Sequence, residues 1–367
     1  MLWEEIILPK YLDKLDFWVE GASHTEEIVT HVKGLNEGLT IDLDELQRFC
    51  DRRKSVNSTI TTPRREADEL IIRGGFDTQS GISHTTGEDV VVCVKNKVNN
   101  SRDYDALKNI PRPSHADYTA VLRYGNDVDL RGGGRFSGRL TLSHCIAGGI
   151  AKQLLRDWGV SVTAYIGEIA GIKGKTYLDG VTKEECESVN PTFAVIGDDT
   201  KMLEAITKAR EEGDSVGGVV ECIVWDMVKG VGGELLGGLE SKLSALLYSI
   251  PAVKGVEFGR GFDISRMKGS EANDAFCYRD GEVVTKTNNN GGINGGISNG
   301  MPLTIRVAFK PTPSISKEQE SVNLKTGENV KFSIGGRHDA CIVTRAVVAV
   351  EATVCLAIYD SLMDKEC

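Results

Sequence analysis

A chain of 367 residues, 40% of them hydrophobic, has room for one large domain or two small ones and enough apolar side chains for a sizeable core. A formal net charge of −10 argues against nucleic-acid binding, which requires a basic face. Nine widely spaced cysteines with no CxxC pair exclude a disulfide framework or a cysteine-based zinc site; they fit reduced, mostly buried thiols in a cytoplasmic protein.

The N-terminal MLWEEIILPK has no basic region followed by an apolar run, so no signal peptide is expected. No apolar run reaches about 18 residues, so no membrane span is expected either. Asp42 to Phe49 reads as a helix: Leu43, Leu46 and Phe49 share a face, acids open it, and Arg52 and Arg53 close it in accord with the dipole. Val90 to Val94 is a β-branched run and reads as a buried strand. Ile146, Ile150 and Leu154 recur every four residues, which predicts a helix just after the loop GGGRFSGRLT. Val160 to Ile166, Thr192 to Ile196 and Val219 to Val224 read as strands, and Thr200 to Glu212 and Leu239 to Ile250 as helices. Val347 to Leu362 reads as a long helix with an apolar face. The run Asn288 to Gly300, NNNGGINGGISNG, is the one candidate boundary; it reads as a functional loop inside a single domain, although a surface hairpin fits the same residues. Strands and helices mix without a strict strand–helix repeat, so an α+β or layered β-α architecture is expected rather than a doubly wound sheet.

Against the acidic background the basic residues are clustered: Arg52, Arg53 and Lys54; Arg64 and Arg65; and the stretch Arg112 to Arg139. Arginine presents a planar fork of donors that matches carboxylate and phosphate, so these clusters point to a small polyanionic ligand; surface ion pairs account for arginines outside such clusters. The loop Gly132-Gly133-Gly134-Arg135-Phe136-Ser137-Gly138 superficially resembles a dinucleotide fingerprint, but Asp127, Asp129 and Arg131 precede it where a hydrophobic strand is required, and no GxxxxGK[ST] pattern occurs. The loop still suits an anion, through close backbone approach, the positive end of the following helix, and Arg131, Arg135 and Arg139. His24 in GASH and His115 in SHAD lie beside small residues and arginines; an isolated histidine is more often structural than catalytic, and both readings stand. Asp339, in GGRHD, fits either a tuned base or a turn-forming aspartate. With no metal-ligand spacing and no nucleophile elbow, the residues themselves reach as far as acid–base chemistry on a phosphorylated or carboxylated small molecule.

The motifs in order are GASH (Gly21 to His24), DRRK (Asp51 to Lys54), TTPRREAD (Thr61 to Asp68), SRDY (Ser101 to Tyr104) and RPSHADYTA through GGGRFSGRLT. They continue with GDSVGG (Gly213 to Gly218), AVKGVEFGRGF (Ala252 to Phe262), MKGSEAND (Met267 to Asp274), NNGGINGGIS, KPTPSI (Lys310 to Ile315) and GRHDAC (Gly336 to Cys341). This series resembles the chorismate synthase family over nearly the whole chain, with residues 1–20 matching poorly. The resemblance implies a single layered β-α-β sandwich domain over residues 1–367, assembled as a homotetramer. It implies conversion of 5-enolpyruvylshikimate 3-phosphate to chorismate and phosphate by a 1,4-elimination that needs reduced FMN without net redox change. NADPH would enter only as the source of reduced flavin; no long insertion is present, as expected of a form supplied with reduced flavin from outside. By motif, His24 would protonate the leaving phosphate, His115 would stabilise the anionic reduced flavin, and Asp339 would act with the flavin in removing the ring proton. Arg53 and Arg139 would hold substrate anions. Arg135, Phe136, Ser137, Gly295, Lys310, Pro311, Thr312, Pro313, Ser314 and Arg337 match flavin-binding positions. No metal, nucleic acid or membrane partner is implied. The chain departs from the family pattern at Thr59, where arginine or lysine is usual, at Val56, Ser114 and Thr25, where glycine is common, and at Ala272 and Asn294. Two other classes stay open at this level: an impaired FMN-binding paralogue and a flavin-independent phospholyase.

Overall fold

Two antiparallel five-stranded sheets enclose a layer of buried helices in the computed structural model, which describes residues 6–7, 11–54, 68–79, 82–96, 109–335 and 339–365. The first sheet is built from β1 (Ile6–Ile7), β2 (Asp16–Gly21), β3 (Glu27–Lys33), β4 (Ile71–Gly74) and β5 (Val90–Lys95), in the order β1-β2-β3-β5-β4. The second is built from β6 (Ser161–Ile169), β7 (Ile172–Lys173), β8 (Gly218–Trp225), β9 (Val253–Phe258) and β10 (Leu303–Phe309), in the order β7-β6-β8-β10-β9. The helices are α1 (Leu43–Asp51), α2 (Asp117–Tyr124), α3 (Thr141–Leu154), α4 (Thr200–Glu211), α5 (Leu239–Leu247) and α6 (Val343–Lys365). The class is α+β with β-α-β layering, as the mixed sequence pattern implies.

Alternation explains the first sheet. Phe17 and Val19, Ile28 and Val32, and Val90, Val92 and Val94 are buried on successive strands, and Thr30 of β3 donates to Ser143 of α3 at 2.8 Å. Helix α3 is buried all round except at Lys152, because it lies between the sheets rather than on a surface. It crosses α6 closely: a Cβ on Gly148 would come within 2.1 Å of the Ala352 carbonyl oxygen, so only glycine permits this approach. Helix α6 is long and apolar enough to cross a membrane by length and composition, but it is the buried central helix of this core. The cysteines among the described residues are free thiols, all buried but for the half-buried Cys277.

One buried ion network ties the layers together. Glu351 of α6 accepts both Arg52 Nη1 at 2.8 Å and Nη2 at 2.9 Å, pairs with Lys152 Nζ of α3 at 2.9 Å, and accepts from the Ala164 N–H of β6 at 3.2 Å. Although burial opposes ionisation, Lys152 and Arg52 hold the Glu351 carboxyl down at about 2.

Three expectations change. Thr192 to Ile196 is not a strand: it makes a single parallel bridge, Val195 to Ile166, because the chain turns within the segment, where the Phe193 carbonyl accepts from Val195 N–H at 2.9 Å, and again at Gly197, whose φ is 95°. Helix α5 stops at Leu247 rather than Ile250, because Pro251 disfavours helical backbone in the residue before it. Helix α6 is longer than read, beginning at Val343 and ending at Lys365.

Candidate active site

A cavity of about 610 Å³ opens where the loop before α3, the ends of α1 and α5, the segment after β10 and the first turns of α6 converge. This lies within the size range of small-molecule sites, about 300–1,000 Å³. Seven lysines and arginines line it (Arg53, Lys54, Arg112, Arg135, Arg139, Lys310 and Arg345), against two carboxylates, Asp68 and Asp339. In an acidic protein that imbalance marks a pocket for anions.

The glycine triplet is shaped by two histidines. Gly132, Gly133 and Gly134 all have left-handed φ (59°, 89° and 54°). A Cβ on Gly132 would lie 2.4 Å from His24 Nε2, and one on Gly133 would lie 3.6 Å from His115 Nε2. The two imidazoles therefore abut consecutive glycines, one from each of two distant motifs. His115 lines the cavity, whereas His24 stands behind Gly132 and is not itself a lining residue. The His24 turn is fixed by Thr25, whose hydroxyl accepts from Ala22 N–H at 2.8 Å and donates to the Glu27 carbonyl at 2.7 Å. Thr25 thus closes this turn with its own side chain.

Behind His115 lies a buried carboxylate. Asp117 Oδ1 is 2.7 Å from His115 Nδ1, while Arg112 donates to both carboxylate oxygens at 2.7 Å and its backbone N–H to Oδ2 at 3.0 Å. Burial would raise the Asp117 pKa, but bonds from Arg112 and His115 hold it well below the ordinary carboxylate range. The Nδ1 edge is thereby committed to Asp117, and Nε2 is the nitrogen presented towards the glycine loop. Arg112 also donates to Ser314 at 3.2 Å, joining this cluster to the segment after β10.

The second cluster surrounds Arg53. Its side chain, only 3% exposed, donates to Asp68 Oδ2 at 3.2 Å, and Arg139 donates to Asp68 Oδ1 at 2.6 Å. Burial, with Arg345 and Arg139 close by, lowers the Arg53 pKa to about 10, so it remains cationic at neutral pH. One carboxylate between two guanidiniums leaves surplus positive charge for a ligand. Asn96 braces the group, accepting from Arg139 Nε at 3.2 Å and donating to the Thr25 carbonyl at 2.9 Å. Asp339 accepts from Arg345 at 3.0 Å.

The walls hold Phe136, Ser137, Lys310, Thr312, Pro313 and Ser314 alongside Arg135. Pro311 packs instead towards Gly217. Gly295 lies at the tip of a two-stranded hairpin (Ile293–Asn294 with Ile297–Ser298), and is not a lining residue. The neighbouring Gly296 sits so tightly against Gly233 that a Cβ would meet its carbonyl at 2.1 Å. Arg337, Val56 and Thr59 lie outside the described residues. Of the seven non-glycine residues with left-handed φ among the described residues, Asp68 (45°), Ser114 (58°) and Ala252 (75°) line this one cavity. Such strain concentrates at functional sites. Sequence reading assigned no role to Asp68, Asn96, Asp117 or Arg345. The adjacency of Arg112, His115 and Asp117 was a usable signal for Asp117, whereas Asn96 and Arg345 reach the site only through tertiary packing.

Comparison with known proteins gives a consistent result. A family model described as chorismate synthase matches residues 15–363. A chorismate synthase of Dehalococcoides mccartyi is 44% identical over 340 residues, covering 93% of this chain and 92% of the relative. One from Thermococcus kodakarensis is 43% identical over 351 residues, covering 95% and 96%. A crystal structure of a chorismate synthase superposes with a TM-score of 0.73 at 24% identity, covering 96% of this chain and 93% of the other.

Proposed function

From the premise that this chain belongs to the chorismate synthase family, and is an enzyme of that type, we propose that it converts 5-enolpyruvylshikimate 3-phosphate to chorismate and phosphate with reduced FMN in its cavity. The observation that carries this reading is the meeting of seven cations, His115 and Asp339 on one cavity, with His24 behind its glycine wall. The substrate carries a phosphate and two carboxylates, and FMN a further phosphate, so the charge surplus fits both.

Arg53 and Arg139, already sharing Asp68, would hold substrate anions. Held away from bulk water, they would also stabilise the charge building on the departing phosphate without reorganising. By motif, His24, which stands behind Gly132 rather than on the lining, would donate the proton that this phosphate takes up, and Asp339 would take part in removing the ring proton. One C–H and one C–O bond break, a C=C bond forms, and the balance is redox-neutral. Arg135, Phe136, Ser137 and the stretch Lys310 to Ser314 would hold the flavin, with Arg337 joining them by motif; Gly295, outside the lining, is left without a contact in this assignment. Held by these residues, reduced FMN would supply electron density that assists loss of phosphate. His115, backed by Asp117, would set a positive edge against it. The enzyme would work as a homotetramer and draw reduced flavin from an external, ultimately NADPH-dependent, source.

The test is anaerobic incubation with the substrate, with and without dithionite-reduced FMN, measuring chorismate and phosphate. Both products should appear only with reduced FMN. Turnover without flavin would make the protein a flavin-independent phospholyase, and flavin binding without product would make it a non-catalytic paralogue.

A further inference from the structure

Arg345 lies in the first turn of α6 and belongs to no motif read from the sequence. Its guanidinium joins two parts of the site that are far apart in the chain. Nη1 donates to Asp339 Oδ2 at 3.0 Å, and Nε donates to the backbone carbonyl of Arg53 at 3.1 Å. Both distances are those of well-formed hydrogen bonds. The Arg53 turn is thus gripped three ways: its carbonyl by Arg345, its side chain by Asp68, and the preceding Arg52 by buried Glu351.

Simple pairing with Asp339 does not account for this arrangement. Arg345 stands close enough to Arg53 to lower that residue's affinity for its own proton, so the contact is made against like-charge repulsion. A rigid, planar fork presents donors to two acceptors at a fixed separation, a geometry that the point charge of a lysine on its flexible stem does not preset. The base of the fork is equally fixed. Ile342, Ala346 and Ala349, from the same stretch of chain, also line the cavity, and Glu351 lies further along α6. The rigid central helix therefore sets the position of both Asp339 and the Arg53 turn.

We propose that Arg345 is a positioning residue that fixes the spacing between the Asp339 carboxylate and the Arg53 anion site. The catalytic meaning of that spacing rests on the function proposed above; the mechanical link does not. The test compares Arg345→Met and Arg345→Lys with wild type by two readouts. The first is backbone hydrogen exchange at Arg53, Lys54 and Ala340 to Ile342 in the full-length protein, with the melting temperature as a control for folding. Loss of the link should speed exchange there by about tenfold or more while core amides of α3 stay protected. The second is turnover: Arg345→Met should lower kcat by about tenfold to a hundredfold, with a smaller change in KM, since small misplacements cost rates of that order. Combined with Asp339→Asn, its effect should be less than the product of the two single losses. Arg345→Lys, which keeps the charge but not the fork, should fall between Arg345→Met and wild type, and it replaces Arg345→Met in both readouts if that variant does not fold. Unchanged local exchange, or fully multiplicative losses, would overturn the proposal. If wild type shows no turnover, the functional reading has failed, and the exchange result alone decides the positioning role.

Discussion

Ser114 and His115 are neighbours with opposite relations to the local backbone. His115 has its Nδ1 edge committed to Asp117, and His115→Ala removes the only ring that reaches the cavity from this motif, leaving the Asp117–Arg112 pair behind it. Groups of this kind commonly contribute about a hundredfold or more to rate, so turnover should fall at least about tenfold while substrate binding changes less. Steady-state kinetics at saturating reduced FMN measure this, and a near wild-type kcat would remove His115 from the mechanism. Ser114 instead occupies a left-handed φ of 58°, and its carbonyl accepts a bond from Lys310 that glycine would keep. Left-handed backbone costs a non-glycine residue roughly 1–2 kcal/mol, while glycine loses about 0.4–1 kcal/mol through its freer unfolded chain. Ser114→Gly should therefore be neutral or stabilising by up to about 1 kcal/mol in urea denaturation. Destabilisation would show that the serine side chain has a role of its own.

Helices α3 and α6 were legible as helices from their apolar spacing, but their burial on every side was not, because that depends on two sheets closing over them. A charged tie, Glu351 with Arg52 and Lys152, joins three elements that no sequence window contains. Removing one member of such a buried network leaves uncompensated charge, so Glu351→Gln should cost about 3–5 kcal/mol. The pH dependence follows from the depressed carboxyl. Its contribution is complete above the ordinary value of 4.5 and is lost as pH falls through that value towards about 2. Acid titration of stability should accordingly be shallower between about pH 4.5 and 2 in Glu351→Gln than in wild type. An equally steep acid limb would mean that other carboxylates dominate it. Thr192 to Ile196 shows the converse limit: its buried apolar run looks like a strand, yet a turn at Phe193 and Val195 leaves it a single bridge to β6.

At the scale of the whole molecule, an acidic chain folds so as to gather cations from segments near residues 53, 112, 139, 310 and 345 around one cavity. The motifs made most of that gathering legible, since His115, Arg135 to Arg139 and Lys310 to Ser314 sit in contiguous blocks whose chemistry points to anions. They did not reveal which block faces which. That Asp68 joins Arg53 to Arg139, that Asn96 braces the His24 turn, and that Gly295 lies apart from the cavity are outcomes of sheet order and helix crossing. The central claim is that this cavity carries out an elimination in which nothing is oxidised overall, although reduced flavin is required. It is tested most directly by counting products per flavin under strict anaerobiosis, with FMN reduced once and substrate in large excess over it. The account predicts chorismate and phosphate in equal amounts, continuing through many turnovers on the same flavin. Product formation that stops at one chorismate per FMN, or phosphate released without chorismate, would contradict it.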